Sequence, residues 1–307
     1  MARLIAGRLV EAAAALLLMS FVIFVLSRVT GDPVALLLSD NATAADRDAL
    51  VAQLGLDRPF LVQYLGFLGD AVRGDFGRSV SAGRQDALDL VLSRLPASLS
   101  LAGVALVFTI LTGIVLGVVA AVTRGSAVDV IVRLVALLGQ SVPSFWLGIV
   151  LIYLFSVEFG WLPTSGTGTW RHYVLPAATL GLFTLAAVTR LVRASMLDAL
   201  GSDYVRLARI KGISETAVMF RHALSNSLIP VVTFMGAFFA TMITGAVVVE
   251  TVFAWPGVGR LAYEAILSRD FPVIQTVVLV ITAIFIAANF VVDLLYLAID
   301  PRMRARG

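Results

Sequence analysis

A run of about 20 apolar residues can satisfy its own peptide groups away from water only as a helix. This sequence contains six such runs, at roughly 9–29, 97–122, 133–158, 173–192, 228–250 and 273–298. They predict a bundle of membrane-crossing helices. The composition agrees: only 14% of residues are charged, against about 25% in soluble domains. The first run follows Arg3 and Arg8 as a secretory leader's would. It is longer than a leader's core, however, and ends in Ser27-Arg28-Val29-Thr30 without a cleavage pattern, so it reads as a retained span. The third run contains Pro143 in "GQSVPSFW", which allows a kink or a break. Six remains the preferred count, because a split leaves a first piece too short to cross.

Orientation follows from the basic residues. With the N-terminus in the cytoplasm, the inside segments hold Arg3, Arg8, Arg124, Arg133, Arg190, Arg193, Arg206, Arg209, Lys211, Arg221, Arg302, Arg304 and Arg306. The short outside loops carry only Arg171, Arg260 and Arg269. Both termini are therefore expected inside, in a multi-pass protein of the plasma (inner) membrane. The net charge of +3 is scattered between spans, which suits an anionic lipid surface and not nucleic acid.

Three regions result: the N-terminus and first span (1–30), an extracytoplasmic helical insertion (31–96), and a core of five spans (97–307). The insertion is patterned. Thr43 and Asp46 form a shortened capping box ahead of "ALVAQLG", and Gly55 is a C-cap. Asp57 and Pro59 then open a second short helix, and the two are expected over the outer mouth of the bundle. Gly113 and Gly117 form a small-xxx-small pair for close helix packing.

Much chemistry is excluded. There is no cysteine, and the two histidines, His172 and His222, read as loop residues and not metal ligands. No nucleophile elbow occurs. Lys211 is the single lysine and sits in Ile210-Lys211-Gly212, so no phosphate-binding Gly-Lys-Ser/Thr loop exists. The chain is expected to be no enzyme and to carry no cofactor of its own. Charged groups in the spans are few: Glu11, Arg190, Glu250 and Asp293, with Glu158 at an edge. Asp293 reads as a helix–helix contact.

The longest polar interruption of the core is the cytoplasmic segment 194–227. Gly201 ends one helix, Ser202 or Asp203 caps the next, Gly212 breaks it, and Ser214 caps another. Asn226 and Ser227 would cap the following span. In the first short helix Val205, Ala208 and Leu207 offer a smooth face, ringed by Arg206, Arg209 and Lys211. Two capped helices around a glycine suit docking into a groove on another protein.

Ala208-x-x-x-Gly212 followed by "LIP" resembles the coupling element of ABC importer permeases, with Arg206 where that element has glutamate and a longer spacing to Pro230. Both departures resemble the dipeptide/oligopeptide/nickel branch, as do "RVTGDP" (28–33), "LGLDRPFLVQYLGFL" (54–68), "GDFGRSV" (74–80), "SVPSFWLG" (141–148), "DYVRLARIKG" (203–212), "ETVFAWPGVGRL" (250–261) and "DPRMR" (300–304). The resemblance implies an all-α permease of type I importer architecture, one of two paralogous subunits in a heterodimer. It also implies two ATPase subunits that bind ATP and Mg²⁺, an extracytoplasmic binding protein, and a short-peptide cargo. Nickel chelate, glutathione or heme is an alternative cargo, and a stand-alone carrier or channel is an alternative class.

On this resemblance Asp203, Tyr204, Arg206, Leu207, Ala208, Arg209, Lys211, Gly212 and Ile213 couple to the ATPase. Asp75, Arg78, Glu250, Trp255, Pro256 and Gly257 would form the binding-protein dock or outer gate. In "ETVFAWPGVG", Pro256, Gly257 and Gly259 would turn the chain, with Phe253 and Trp255 at the interface. The sequence shows no charged pocket for peptide termini and no metal site.

Overall fold

The computed structural model describes residues 2–30, 34, 38, 43–53 and 55–299. The Gly31-Asp32-Pro33 and 300–304 motifs, and the side chain of Asp293, lie outside the described residues.

The regular elements of the described chain are helices: α1 (Ala2–Thr30), α2 (Ala44–Gln53), α3 (Phe60–Val72), α4 (Ala87–Val122), α5 (Ala127–Ser141), α6 (Ser144–Ile152), α7 (Arg171–Leu200), α8 (Asp203–Ile210), α9 (Glu215–Ala217), α10 (Ser225–Val252), α11 (Val258–Leu267) and α12 (Phe271–Ile299). π-turns extend α6 through Tyr153–Glu158 and join α9 to α10 through Val218–Leu224. Among the described residues, α1, α4, α7 and α12 are long and apolar enough to cross a membrane. α10, 28 residues long, covers the predicted run 228–250.

The predicted single span 133–158 is instead two helices that meet at 109°. Pro143 cannot donate, and it forces Val142 into an extended conformation (φ −88°, ψ 127°), so α5 makes its last bond from Val142 N to Leu138 O and stops. α6 restarts with Pro143 as its cap.

Two compact units divide the chain. The first holds the chain up to Ala97 together with Gly257–Ala287. Its α2 begins with the expected capping box: Thr43 N and Oγ1 donate to Asp46 Oδ2 at 2.9 and 2.7 Å. These bonds hold the Asp46 carboxyl below the usual carboxylate range. It ends in a Schellman motif, with Leu56 N on Val51 O, Gly55 N on Ala52 O, and Gly55 at φ +62°. α3 belongs to this same unit. It packs along the second half of α1, where Phe24 meets Phe60, Tyr64 and Phe67 at about 5.4–5.5 Å. Tyr64 Oη also reaches Ser20 Oγ at 2.9 Å. Because α3 is apolar on more than one face, Leu61 and Leu65 stay exposed.

The second unit, built on Ser98–Pro256, is held by close approach of α4 and α7. A Cβ on Gly113 would come within 2.7 Å of Val188, and one on Gly117 within 2.6 Å of Val192 and 2.9 Å of Thr189 O. The small-residue pair thus does what its spacing predicts.

Candidate functional site

The helix–glycine–helix segment is built into the core of the second unit. α8 is only eight residues long, too short to be stable alone. Val205 and Ala208, three apart and on one face, are buried against Val218 and Ile213. A Schellman motif ends α8: Ile213 N bonds Ala208 O at 3.2 Å and Gly212 N bonds Arg209 O at 3.0 Å, with Gly212 at φ +76°. Ser214 Oγ caps the next turn through Ala217 N. Arg209 reaches across the bend to Glu215 with bonds of 2.7 and 3.2 Å. That bidentate bond holds the Glu215 carboxyl below its usual range.

Two predicted caps are corrected. Ser202 stands at the N-cap of α8, but its Oγ donates backward to Ala199 O. Asn226 and Ser227 do not start a helix. They donate to His222 O and Ala223 O at 2.9 and 2.8 Å inside a helical run that continues from Glu215 to Val252. The loop is therefore tied rigidly to its root. Ala223 packs with Val192, Met196 and Ala199 of α7 and Val231 of α10 in one buried cluster.

Of the residues predicted to couple, Asp203, Tyr204, Arg206, Leu207, Lys211 and Gly212 are exposed. Ala208 forms the floor with Val205 and Ile213, so the smooth outward face expected at Val205 and Ala208 points inward. The outward face is Tyr204, Leu207 and Ile210, which are 43%, 51% and 76% exposed. Sequence reasoning missed Ile210, although its spacing of three from Leu207 marks it.

A second missed feature joins α5 to α7. Asp129, in the first turn of α5 and 1% exposed, receives Arg193 Nε and Nη2 at 2.8 Å each. Gly125 N donates to it at 3.1 Å, and Arg133 approaches to 3.3 Å. A buried carboxylate is stable there because three hydrogen bonds and two guanidinium groups meet it. The locally visible signal was an aspartate opening an otherwise apolar helix.

The residues predicted for the outer side separate by unit. In the first, Asp75 and Arg78 are exposed, and Asp75 Oδ1 accepts from Gly77 N at 3.0 Å. Their loop is held by Asp270, whose Oδ2 accepts from Ser79 Oγ (2.5 Å), Ser81 Oγ (2.8 Å), Val80 N (2.9 Å) and Ser81 N (3.0 Å). Burial works to raise this carboxyl's pKa, but the hydrogen bonds prevail and hold it below the ordinary range. Gly257 is buried and extended, capping α11, and Gly259 lies inside that helix instead of in a turn.

In the second unit Glu250 is buried and accepts Ser98 Oγ at 2.6 Å. Phe253 and Trp255 are also buried, not interfacial. Trp255 packs edge-on against Tyr173 at 4.6 Å, and Pro256 is partly exposed. The turn is made at Ala254, φ +48°, by the bonds Trp255 N to Glu250 O and Ala254 N to Thr251 O. Glu250 and Trp255 thus shape this corner from within. The same unit has an apolar cleft of about 320 Å³ at the Pro143 break, lined by Ser144, Thr179, Thr184, Phe183 and Met242 among others and by no charged residue.

Long apolar helices, an apolar run broken at a proline and a rooted helix–glycine–helix segment are features of a multi-pass membrane protein. Residues 113–305 match the family described as "Binding-protein-dependent transport system inner membrane component", and residues 1–102 match its N-terminal companion. The chain is 44% identical over 274 residues, 89% of each chain, to the protein named "Glutathione transport system permease protein GsiC" from Escherichia coli (strain K12) and from Shigella dysenteriae serotype 1 (strain Sd197). Its fold is shared with the MetNI methionine ABC transporter in an inward-facing form, at a TM-score of 0.58 and 18% identity over 69% of this chain and 96% of that one. An amino acid ABC transporter with histidines gives 0.51 and 16%, over 67% and 92%.

The chain belongs to the binding-protein-dependent transport inner-membrane component family. It is the permease subunit of an ABC importer, an inner-membrane multi-pass protein that works with ATPase and binding-protein partners and is not itself the ATPase.

Proposed function

We propose that this permease forms half of a translocation pathway for short peptides, of the size of glutathione or a dipeptide, beside a paralogous second permease. The observation that carries the coupling half of the proposal is the exposed face of Tyr204, Leu207 and Ile210, flanked by Arg206 and Lys211. An apolar strip with a basic rim is the composition of a docking helix. Its occupant is one of two ATPase subunits, which bind ATP and Mg²⁺, and both termini of the permease lie on that side. α8 pushes on Val218 and Ile213, and through Ala223 on α7 and α10, so a movement of the ATPase becomes a movement of whole helices.

The cargo half is supported by the glutathione permeases' similarity across nearly the whole chain. The uncharged cleft beside Pro143 suits passage, since a site that releases its cargo should not hold its charges tightly. The binding protein meets the exposed Asp75 and Arg78 loop.

The test is ATP-driven uptake by the complete complex in proteoliposomes, with labelled dialanine, glutathione and a pentapeptide. Uptake of at least one, dependent on both ATP and the binding protein, is expected. Accumulation without ATP would assign the chain to the stand-alone carriers, and uptake of only nickel chelate or heme would overturn the peptide cargo.

A further inference from the structure

The first unit contains a polar cleft of about 500 Å³, bounded by the end of α1, one side of α3, the 74–77 turn and the start of α12. Its size falls in the roughly 300–1,000 Å³ range of small-ligand sites. Its lining differs from the cleft of the second unit. Arg28 and Arg58 contribute two cations, and Asp70 and Asp75 contribute two carboxylates.

Arg28 is the telling residue. It sits in the last turn of α1 with its guanidinium 5.1 Å from the Phe24 ring, and its Nε is buried with no hydrogen-bond acceptor among the described residues. A buried charged donor left without an acceptor is costly, and a ligand oxygen would remove that cost. The wall around it is fixed. Gln63 Nε2 donates to Arg58 O at 2.8 Å and Leu56 O at 3.1 Å, and Gln275 Nε2 donates to Ser27 Oγ at 2.8 Å. Among the described residues Asp70 has only an exposed 3.5 Å contact with Arg73, and Asp75 accepts from a single backbone amide. Gly66 borders open space, since a Cβ there would meet nothing within 4 Å, so a bulky side chain can be placed there to fill the cleft.

We infer that this cleft binds a compact zwitterion, its carboxylate or phosphate oxygens on Arg28 and its ammonium toward Asp70 and Asp75. Two sources share that chemistry: a short peptide held by its termini before entry, and the headgroup of phosphatidylethanolamine. The peptide source rests on the proposed cargo, whereas the lipid source does not. α3, which walls the cleft, exposes Leu61 and Leu65 to surroundings that would hold acyl chains.

The experiment uses the complete complex in nanodiscs of phosphatidylglycerol, with and without added phosphatidylethanolamine. Binding of labelled dialanine is measured in the absence of ATP and binding protein, and retained lipid is identified by native mass spectrometry. Arg28→Gln and Gly66→Phe are compared with the wild type, with ATP hydrolysis by the complex as the folding control. Each variant is expected to weaken the occupant about tenfold to a hundredfold. N-acetylated dialanine, which lacks the ammonium, should regain ground on dialanine in an Asp70→Asn/Asp75→Asn double variant.

Dialanine lost from both variants identifies the peptide source, and phosphatidylethanolamine lost from both identifies the lipid. If neither ligand responds to either variant in an active complex, the cleft is not a zwitterion site, even where peptide uptake is intact. If no peptide is transported but retained lipid depends on Arg28, the cargo reading fails and the cleft stands.

Discussion

The double substitution Leu207→Ser/Ile210→Ser tests the docking face directly. Full burial of a leucine or isoleucine side chain is worth about 1.5–3 kcal/mol. Leu207 is 51% exposed and Ile210 76% exposed. Covering what remains would yield about 0.8–1.5 kcal/mol at the first and about 1.1–2.3 at the second, together about 2–4 kcal/mol. Serine forfeits that term, so affinity for the ATPase should fall about 30-fold to 1,000-fold. The cost should appear in the dissociation rate, because Arg206 and Lys211 still supply the field that steers encounter. The assay is interferometry of the purified ATPase on nanodisc-held permease pairs. The second permease keeps its own loop, so one of two binding phases should weaken and the other persist. Both side chains point away from the Val205–Ala208–Val218 floor, so the fold of the loop should survive. Two unchanged binding phases, with stimulated ATP hydrolysis intact, would refute the assignment of this face.

Gly212→Val places a β-branched residue at φ +76° in otherwise open space. It should cost about 1–2 kcal/mol of local conformational energy and lower transport-coupled ATP hydrolysis more than the melting temperature. Gly117→Ala drives a methyl to 2.6 Å from Val192 and 2.9 Å from a backbone oxygen. An overpacking cost of about 1–3 kcal/mol should lower the melting temperature measured by fluorescence-detected size exclusion. Asp270→Asn replaces charge-assisted bonds to the 79–81 loop with neutral ones and should cost about 2–4 kcal/mol near pH 7. Because the folded carboxyl is held below its ordinary range, its contribution is fully present above the ordinary aspartate range and is lost as pH falls through the lowered value. The melting difference between wild type and Asp270→Asn should therefore shrink on acidification, and a difference that grows would exclude this carboxylate as the anchor.

The architecture was legible where a local signal was sufficient. Apolar runs announce the long helices, and Gly55 and Gly212 announce the Schellman ends that the structure contains. The same end occurs at Ala254 (φ +48°) and at Arg269 (φ +55°), where Asp270 N bonds Ala265 O. Neither residue favours that conformation, so no residue-type rule would have found them. Both precede a buried group that the turn must deliver, Trp255 in one case and Asp270 in the other, and tertiary contacts maintain the backbone there.

The orientation of α8 failed to show for a related reason. Eight residues with apolar side chains at 204, 205, 207, 208 and 210 offer two possible inner faces. Val218 and Ile213 select one of them, and they come later in the chain. Asn226 and Ser227 misled because the side chains that cap a helix can equally bond the carbonyl four residues back. Asp129 and Asp270, two of the buried carboxylates, were the least legible, since Asp129 finds Arg193 64 positions away and Asp270 finds Ser79 191 positions away. Asp129 opens α5 and Arg193 lies on α7, so their bidentate bond sets α5 against the helix that leads into the helix–glycine–helix segment. The contact that braces α7 is thus made between residues distant in the sequence, whereas those that seat α8 lie close to it in the chain.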